Sequence, residues 1–306
     1  MRWLFLAGRL RTRGVLGMNG RNAGALAGLN PRALFPLVDD KLRFGELCHR
    51  IGVPTPARFA VFHRHGDLRH LGDVLTVHPD CVIKPARGSS GRGIVLLTGP
   101  AERGYRRHNG ATATLTELRR HVSDVLSGLY SLGGQPDRAI VQQRLRPHST
   151  FERISHRGTP DVRVVVYRGE LALAMLRLPT LESAGRANLH QGGVGVGIDL
   201  ATGTTTRAVW HRRRVTHHPD TGEPLAERTI PDWPAVLTAA KTVARATGLG
   251  FVGVDVVPAD VGPVVLEANA RPGLGIQSAS GIGLRMVLDA IDRKMTNTQC
   301  PPMTKE

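Results

Sequence analysis

Cysteine is scarce: Cys48, Cys81 and Cys300 are far apart, odd in number and without a CxxC pair in a chain of 306 residues. That rules out a disulfide framework and leaves no zinc-binding spacing, and it suits a reducing compartment. Long apolar runs are missing too; no window approaches the ~18 uninterrupted apolar residues of a membrane span. The start, Met1-Arg-Trp-Leu-Phe-Leu-Ala-Gly-Arg9, is basic and briefly apolar, but its apolar run is shorter than a signal-peptide core, and Arg11 and Arg13 follow at once. A cytoplasmic location is therefore expected, with this segment a candidate for peripheral contact with anionic lipid. Aromatics make up only 4% of the chain, which leaves few platforms for stacking bases. Acidic residues are the minority charge, 25 against 41 Lys and Arg, giving +16 and a pI near 11.2. Such a balance implies an anionic partner or a strongly basic surface. With no recognition module for nucleic acid in view, a small acidic substrate is favoured over nucleic acid.

What is present begins with Gly253-Val-Asp255-Val-Val and Val264-Val-Leu-Glu267-Ala-Asn269-Ala-Arg271-Pro-Gly273. Strand alternation projects Glu267 and Asn269 from one face, and a hairpin loop over 259–263 sets Asp255 opposite Glu267. Two carboxylates and an amide at the end of an apolar hairpin suit octahedral Mg²⁺, or Mn²⁺, completed by water and nucleotide phosphates. The same pattern also describes polar residues at a solvent-facing strand end closed by Pro272-Gly273.

Around this hairpin the pattern predicts an α+β chain. Residues 39–51 read as a helix ended by Gly52, and residues 57–80 hold room for one strand. Strands at 81–84 and 94–97 are joined by Gly88-Ser89-Ser90-Gly91-Arg-Gly93. This loop is neither a Walker A motif nor a dinucleotide fingerprint, since it joins two strands and its lysine, Lys84, precedes it. Its backbone N–H groups could instead close over a triphosphate, with Lys84 adding charge; a plain turn is the simpler alternative. Lys41 stands in a first helical turn, where it gains nothing from the helix dipole but would gain from a phosphate. Thr114 and Glu117 have capping-box spacing before a helix to about 130, followed by a strand at 139–143. A hairpin over 161–167 and 171–176 comes next, then a Gly-rich irregular stretch over 179–207 and a helix over 233–247 closed by Gly248. Asp161 and Arg163 share a strand face near Arg177, either as an ordinary cross-strand ion pair or as a stabiliser of phosphoryl charge.

Taken in order, Lys41, Lys84 with its Gly/Ser loop, Gln142-Gln143, Asp161-x-Arg163, Arg177, Arg186-Ala-Asn188 with Gly192-Gly193, Asp255 and Glu267-x-Asn269 resemble the ATP-grasp ligases. The stretches Leu16-Gly-Met-Asn19-Gly-Arg21-Asn22, Asn30-Pro31-Arg32 and Val38-Asp-Asp-Lys41 resemble the alpha-L-glutamate ligase-like branch, also described as sugar-transfer-associated ATP-grasp proteins. The resemblance implies an ATP-grasp fold with an N-terminal region (1–78), a lid subdomain (79–145) and a C-terminal catalytic subdomain (146–306), with ATP between the last two. It further implies adenine near Gln142, Gln143 and Leu145, and Mg²⁺ on Asp255, Glu267 and Asn269. Phosphates would contact Lys41 and Lys84. Arg163 and Arg177 would steady an acyl phosphate, with Asn188 and Arg271 facing the reaction centre. The implied activity joins a carboxylate to an amine, both small-molecule or peptide substrates, through an acyl phosphate. Ligation of glutamate or another amino acid to an acidic acceptor leads; alternatives are a ligase for cell-surface saccharide or peptide precursors, or a nucleotide-binding regulatory module. Gln142-Gln143 stands where many ATP-grasp enzymes place a glutamate, and the N-terminal region is short. His190, His217 and His218 have no derived role.

Overall fold

The computed structural model describes residues 8–88 and 91–299. Ser89 and Ser90 of the Gly/Ser loop, Cys300, and the apolar part of the N-terminal segment lie outside the described residues. A helical start (Met18–Gly20, the π-helical Arg21–Leu26, Ala27–Leu29) leads through a short helix at Phe35–Asp39 into α1 (Lys41–Arg50). Asp40 starts α1 by accepting from Leu42 N at 3.0 Å and Arg43 N at 3.4 Å, which satisfies two N–H groups left free by the first turn. Gly52, at φ +68°, ends it in the left-handed conformation that glycine adopts without strain.

Two antiparallel sheets follow. The first takes β1 (Arg58–Phe62), β2 (Asp80–Pro85), β3 (Val95–Ala101), β4 (Gly104–Arg107), β5 (Thr112–Ala113) and β6 (Ala139–Gln143) in the order β1-β6-β2-β3-β4-β5. Helices α2 (Leu71–Val77) and α3 (Leu115–Leu126) cover one face, where Leu71, Leu75, Leu118 and Val122 pack on Ile83 and Leu97. The capping box forms: Thr114 Oγ accepts from Glu117 N at 3.2 Å and Glu117 Oε2 accepts from Thr114 N at 2.8 Å. α3 stops four residues short of the expected end, because Gly128 turns left-handed at φ +88° and brings the chain back against Gln135. β1 pairs with β6, so this sheet reaches ahead of the division proposed at residue 79.

The second sheet orders β11-β10-β9-β8-β7-β12-β13, with β7 (Asp161–Tyr167), β8 (Glu170–Leu178), β9 (Val194–Ile198), β10 (Thr205–Trp210), β11 (Arg213–Val215), β12 (Phe251–Ala259) and β13 (Gly262–Asn269). Alternation divides its faces. Val162, Val164, Val252 and Val254 turn toward α4 (Trp233–Thr247). Val165, Tyr167, Met175 and Phe251 turn toward α5 (Ile276–Ser280), α6 (Leu284–Gln299) and the helical start.

The stretch expected to be irregular, 179–207, instead contains β9 and the start of β10. Val194, Val196 and Ile198 fill the core, while Gly195 and Gly197 present backbone to α5. A Cβ on Gly197 would lie 2.7 Å from Ser280 Cα and 2.8 Å from Ala279 O. The glycines that read as a loop are the surface on which a helix lies flat. Gly197→Ala is accordingly expected to destabilise the fold by ~1–3 kcal/mol in urea unfolding. Gly28→Ala, in a helix with nothing within 4 Å of the new methyl group, should stabilise it by ~0.5–1 kcal/mol; equal midpoints for the two variants would refute the packing argument.

Candidate functional site

The hairpin β12–β13 turns at Asp260-Val261, a loop shorter than expected, with Ala259 opposite Gly262. A two-residue turn by itself would set Asp255 against Leu266. Between Asp255–Glu267 and Val256–Val265 the register shifts by one, and Leu266 becomes the extra residue of a bulge. The bulge restores the pairing of Asp255 with Glu267, and Leu266 lines the cleft between the sheets.

Asp255 meets two arginines on its own sheet face. Arg163 Nε and Nη2 grip both its carboxylate oxygens, Nη2 at 2.6 Å from Oδ2. Arg177 Nη2 donates to Asp255 Oδ2 at 2.6 Å, and its Nε to Asp161 Oδ1 at 2.5 Å. None of the four exposes more than 9% of its surface. Burial pushes the Asp255 carboxyl up, but Arg163 and Arg177 outweigh it and hold it below the ordinary range. Burial likewise works against charge on Arg177, and Asp161 and Asp255 override it, raising its pKa. Asp161 is pushed up by burial against the pull of Arg177. Two cations and two carboxylates therefore balance at the polar end of a face that is otherwise apolar.

Glu267, opposite Asp255, is half-buried, and its carboxylate makes no hydrogen bond or ion pair among the described residues. Its charge acts on Lys84 and Arg177. Lys84, buried in β2, is brought down to about 7 by burial, with Lys41 adding and Glu267 opposing. Lys41 donates from Nζ to Gly88 O at 2.7 Å and from its backbone to Ala86 O at 3.0 Å, pinning the first turn of α1 to the loop after β2. Lys41, Lys84, Phe44, Arg58, Gln142 and Leu266 line a cleft of about 880 Å³ between α1, the first sheet and the hairpin.

The other expected residues are placed as follows. Gln143 turns out of the cleft and clasps Ala57, its Oε1 accepting from Ala57 N at 3.2 Å. Leu145 packs with Val257, Ala259 and Val264. Gly91 and Gly93 are left-handed at φ +70° and +72°, Gly93 lying so close to Tyr130 that a Cβ would touch its ring at 2.6 Å. Asn269 Oδ1 accepts from Arg271 N at 2.8 Å, while Arg271 Nη2 binds Asp39 at 2.7 Å and its guanidinium lies 4.8 Å from the Phe35 ring. Asn188 caps the short turn Leu189–Gln191 through Oδ1 and His190 N, at 3.0 Å. His218 is a satisfied core histidine, its Nε2 3.0 Å from Pro179 O; His190 and His217 are exposed.

Sequence reasoning missed the work of Asp39 and Asp40. Asp39 holds Arg271, just after β13 of the second sheet, and Asp40 holds Arg138, just before β6, and, at 3.4 Å, Arg87, just after β2 of the first sheet. The doublet before Lys41 was the available signal. Its helix-capping role is local and legible; its arginine partners are not.

Among the described residues no three His, Cys, Asp or Glu side chains gather as a metal site, so a cation at this hairpin would need the Asn269 amide. Asp255 accepts three hydrogen bonds of the roughly four that a carboxylate can take, leaving one lone-pair direction. Together with the free Glu267 carboxylate, the set fits a hard cation that takes its remaining ligands from water or phosphate.

A model of sugar-transfer associated ATP-grasp proteins matches residues 21–293. The chain belongs to the sugar-transfer-associated ATP-grasp family. Similar curated proteins include a probable alpha-L-glutamate ligase of Trichodesmium erythraeum (strain IMS101), 29% identical over 255 residues. A second, of Halorhodospira halophila (strain DSM 244 / SL1), is 29% identical over 257 residues. The matches take in 83% of this chain and 63% of each relative, so the chain spans under two thirds of their length. Among solved structures, D-cycloserine synthetase DcsG aligns with a TM-score of 0.50 at 16% identity, covering 87% of this chain and 73% of that one. That likeness is one of fold alone.

Within this ATP-grasp chain the two carboxylates of the hairpin have unlike roles in stability. Asp255→Asn leaves two buried arginines short of a counter-charge and is expected to cost ~3–5 kcal/mol. Glu267→Gln, at a half-buried carboxylate without an ion pair, should change stability by no more than ~0.5 kcal/mol. Chemical unfolding of both variants checks this; equal losses would mean that Glu267 is also part of the packed network.

Proposed function

We propose that the chain is a Mg²⁺-ATP-dependent carboxylate–amine ligase. The observation that carries this reading is Lys84: a lysine buried beside a second lysine, without an ion pair of its own among the described residues, and within electrostatic reach of a carboxylate, Glu267, that is equally uncommitted there. Two lysines at a cleft with a free carboxylate in electrostatic reach are what a polyphosphate and its cation require of a protein. ATP lies in the cleft with its adenine against Gln142 and Leu266, while Gln143 and Leu145 shape the wall from behind. Lys41 and Lys84 contact the phosphates, and the loop carrying Gly88, Gly91 and Gly93 covers them. Glu267, Asn269 and the remaining lone pair of Asp255 hold Mg²⁺, which supplies charge neutralisation to the phosphates.

A substrate carboxylate oxygen attacks the γ-phosphorus, the bond to the β-γ bridging oxygen breaks, and ADP leaves an acyl phosphate behind. The amine nitrogen then attacks the carbonyl carbon and expels inorganic phosphate, so that an amide forms. Arg163 and Arg177 stand ready to stabilise charge on the transferred group with no reorganisation, because Asp255 and Asp161 already fix their planes. Asn188 and Arg271 complete the rim facing the substrates. The basic surface suits an acidic acceptor, with glutamate or another amino acid as the group added.

Incubation with Mg²⁺-ATP, pooled amino acids and hydroxylamine should yield ADP together with amino-acid hydroxamates detectable by mass spectrometry. Glu267→Gln should reduce both at least 100-fold at unchanged melting temperature, and full turnover in that variant would overturn the cation assignment. Lys84 gives a second check. With its pKa near 7 in the free protein, it is mostly neutral at pH 8, and an adjacent phosphate favours its charged form. ATP binding at pH 8 should therefore take up a fraction of a proton, seen as a dependence of the calorimetric enthalpy on buffer ionisation enthalpy. Lys84→Arg, which stays charged, should abolish that dependence; a wild type with none would remove Lys84 from the phosphate site.

A further inference from the structure

Arg21 opens the π-helical segment Arg21–Leu26 and exposes only 8% of its surface. Its partners are neutral. Nη1 donates to Pro272 O at 3.1 Å, and Nε and Nη2 share Asn22 Oδ1 at 3.0 and 2.9 Å. Among the described residues it has no carboxylate partner, and the charged group that acts on it is another arginine; burial, then Arg271, push its pKa down. Arg163 and Arg177 are buried to the same degree but matched by Asp255 and Asp161, and Arg271 is matched by Asp39. Arg21 is thus a largely covered cation with no counter-charge among the described residues, a condition that an anion would relieve.

Its position says which anion. Pro272, whose carbonyl Arg21 holds, lies against Gly253, where a Cβ would sit 3.0 Å from Pro272 Cβ and 3.0 Å from Arg163 Cδ. Arg21 therefore flanks the arginine network across one layer of backbone, at the end of the strand that carries Glu267 and Asn269. Lys41 and Lys84 are on the cleft side, so the nucleotide phosphates already have their cations. The Arg21 guanidinium uses the one N–H of Nε and one on each terminal nitrogen in the bonds above. One N–H on each terminal nitrogen is left to donate to a carboxylate.

We infer that Arg21, with Arg271 beside it, forms a binding subsite for a carboxylate of the acidic substrate, separate from the nucleotide site. The inference deepens the ligase reading and rests on it for the substrate's role. Arg21 is a binding residue here: it fixes the substrate and leaves the phosphoryl transfer to the groups around Asp255.

The test uses the full chain and Arg21→Gln and Arg21→Lys variants with two readouts. In the hydroxylamine assay, Arg21→Gln should raise the pooled amino-acid concentration for half-maximal ADP formation at least tenfold and leave that for ATP within twofold, with Arg21→Lys in between. An arginine that merely braces Pro272 would lower stability and maximal rate without moving the carboxylate dependence, and that result overturns the subsite. The second readout needs no turnover: glutarate should raise the wild-type melting temperature above chloride at equal ionic strength, and Arg21→Gln should lose the rise. No glutarate effect on the wild type overturns the subsite whatever the turnover. A glutarate effect that depends on Arg21, in a protein that forms no ADP with any amino acid, leaves the subsite standing and refutes the ligase reading.

Discussion

Burying charge inside a β-sheet is the constraint on which the rest of this molecule depends. Asp161, Arg163, Arg177 and Asp255 occupy one face of three adjacent strands, and each would be prohibitively costly there alone. Together they hold the polar ends of β7, β8 and β12 in register, with the apolar half of the same face anchored by Phe251, Tyr167 and Met175. The matched charges also commit Asp255 to its arginines. Among the described residues, the network leaves the carboxylate one strand further out, Glu267, without an ion pair at this edge.

The second organising feature is the junction at residues 39–41. Consecutive residues reach in three directions: Asp39 to Arg271 just after β13, Asp40 to Arg138 just before β6 and Arg87 just after β2, and Lys41 to the carbonyl of Gly88. One helix start thereby holds both walls of the cleft and the base of the glycine loop. Asp39 ends one helix, Asp40 is extended at φ −108° and ψ 109°, and Lys41 starts the next, so the three side chains diverge where a regular strand would alternate between two faces. The segment leading into α1 is in this sense the mortar between the sheets. Its π-helical segment adds Arg21 to the far side of the same hairpin.

Much of the fold was legible because its signals are local. The capping box at Thr114 and Glu117, the glycine stops at Gly52 and Gly248, and the valine alternation of β7 each depend on residues within a turn or two. Legibility failed where one local signal serves two structures. Glycine spacing over 193–197 fits a loop as well as a strand pressed against a helix, and the choice lies with Ser280, some eighty residues on. The pairing of Asp255 with Glu267 was anticipated through a longer loop, whereas the chain uses a tight turn and a bulge at Leu266. Both solutions satisfy alternation, but the bulge also turns a leucine into the cleft.

The family, the α+β class and the order of the charged and glycine-rich motifs were contained in the sequence itself, because residue type, period and succession along the chain define them. Which of the two hairpin carboxylates is bound and which is free was decided only in three dimensions. Asp255 and Glu267 sit in similar valine-rich surroundings as strings of letters. They differ because β7 and β8, from 78 to 92 residues before Asp255, bring two arginines into ion pairs with it and, among the described residues, none into an ion pair with Glu267. Coulombic attraction acts over ångströms of space and takes no account of distance along the chain.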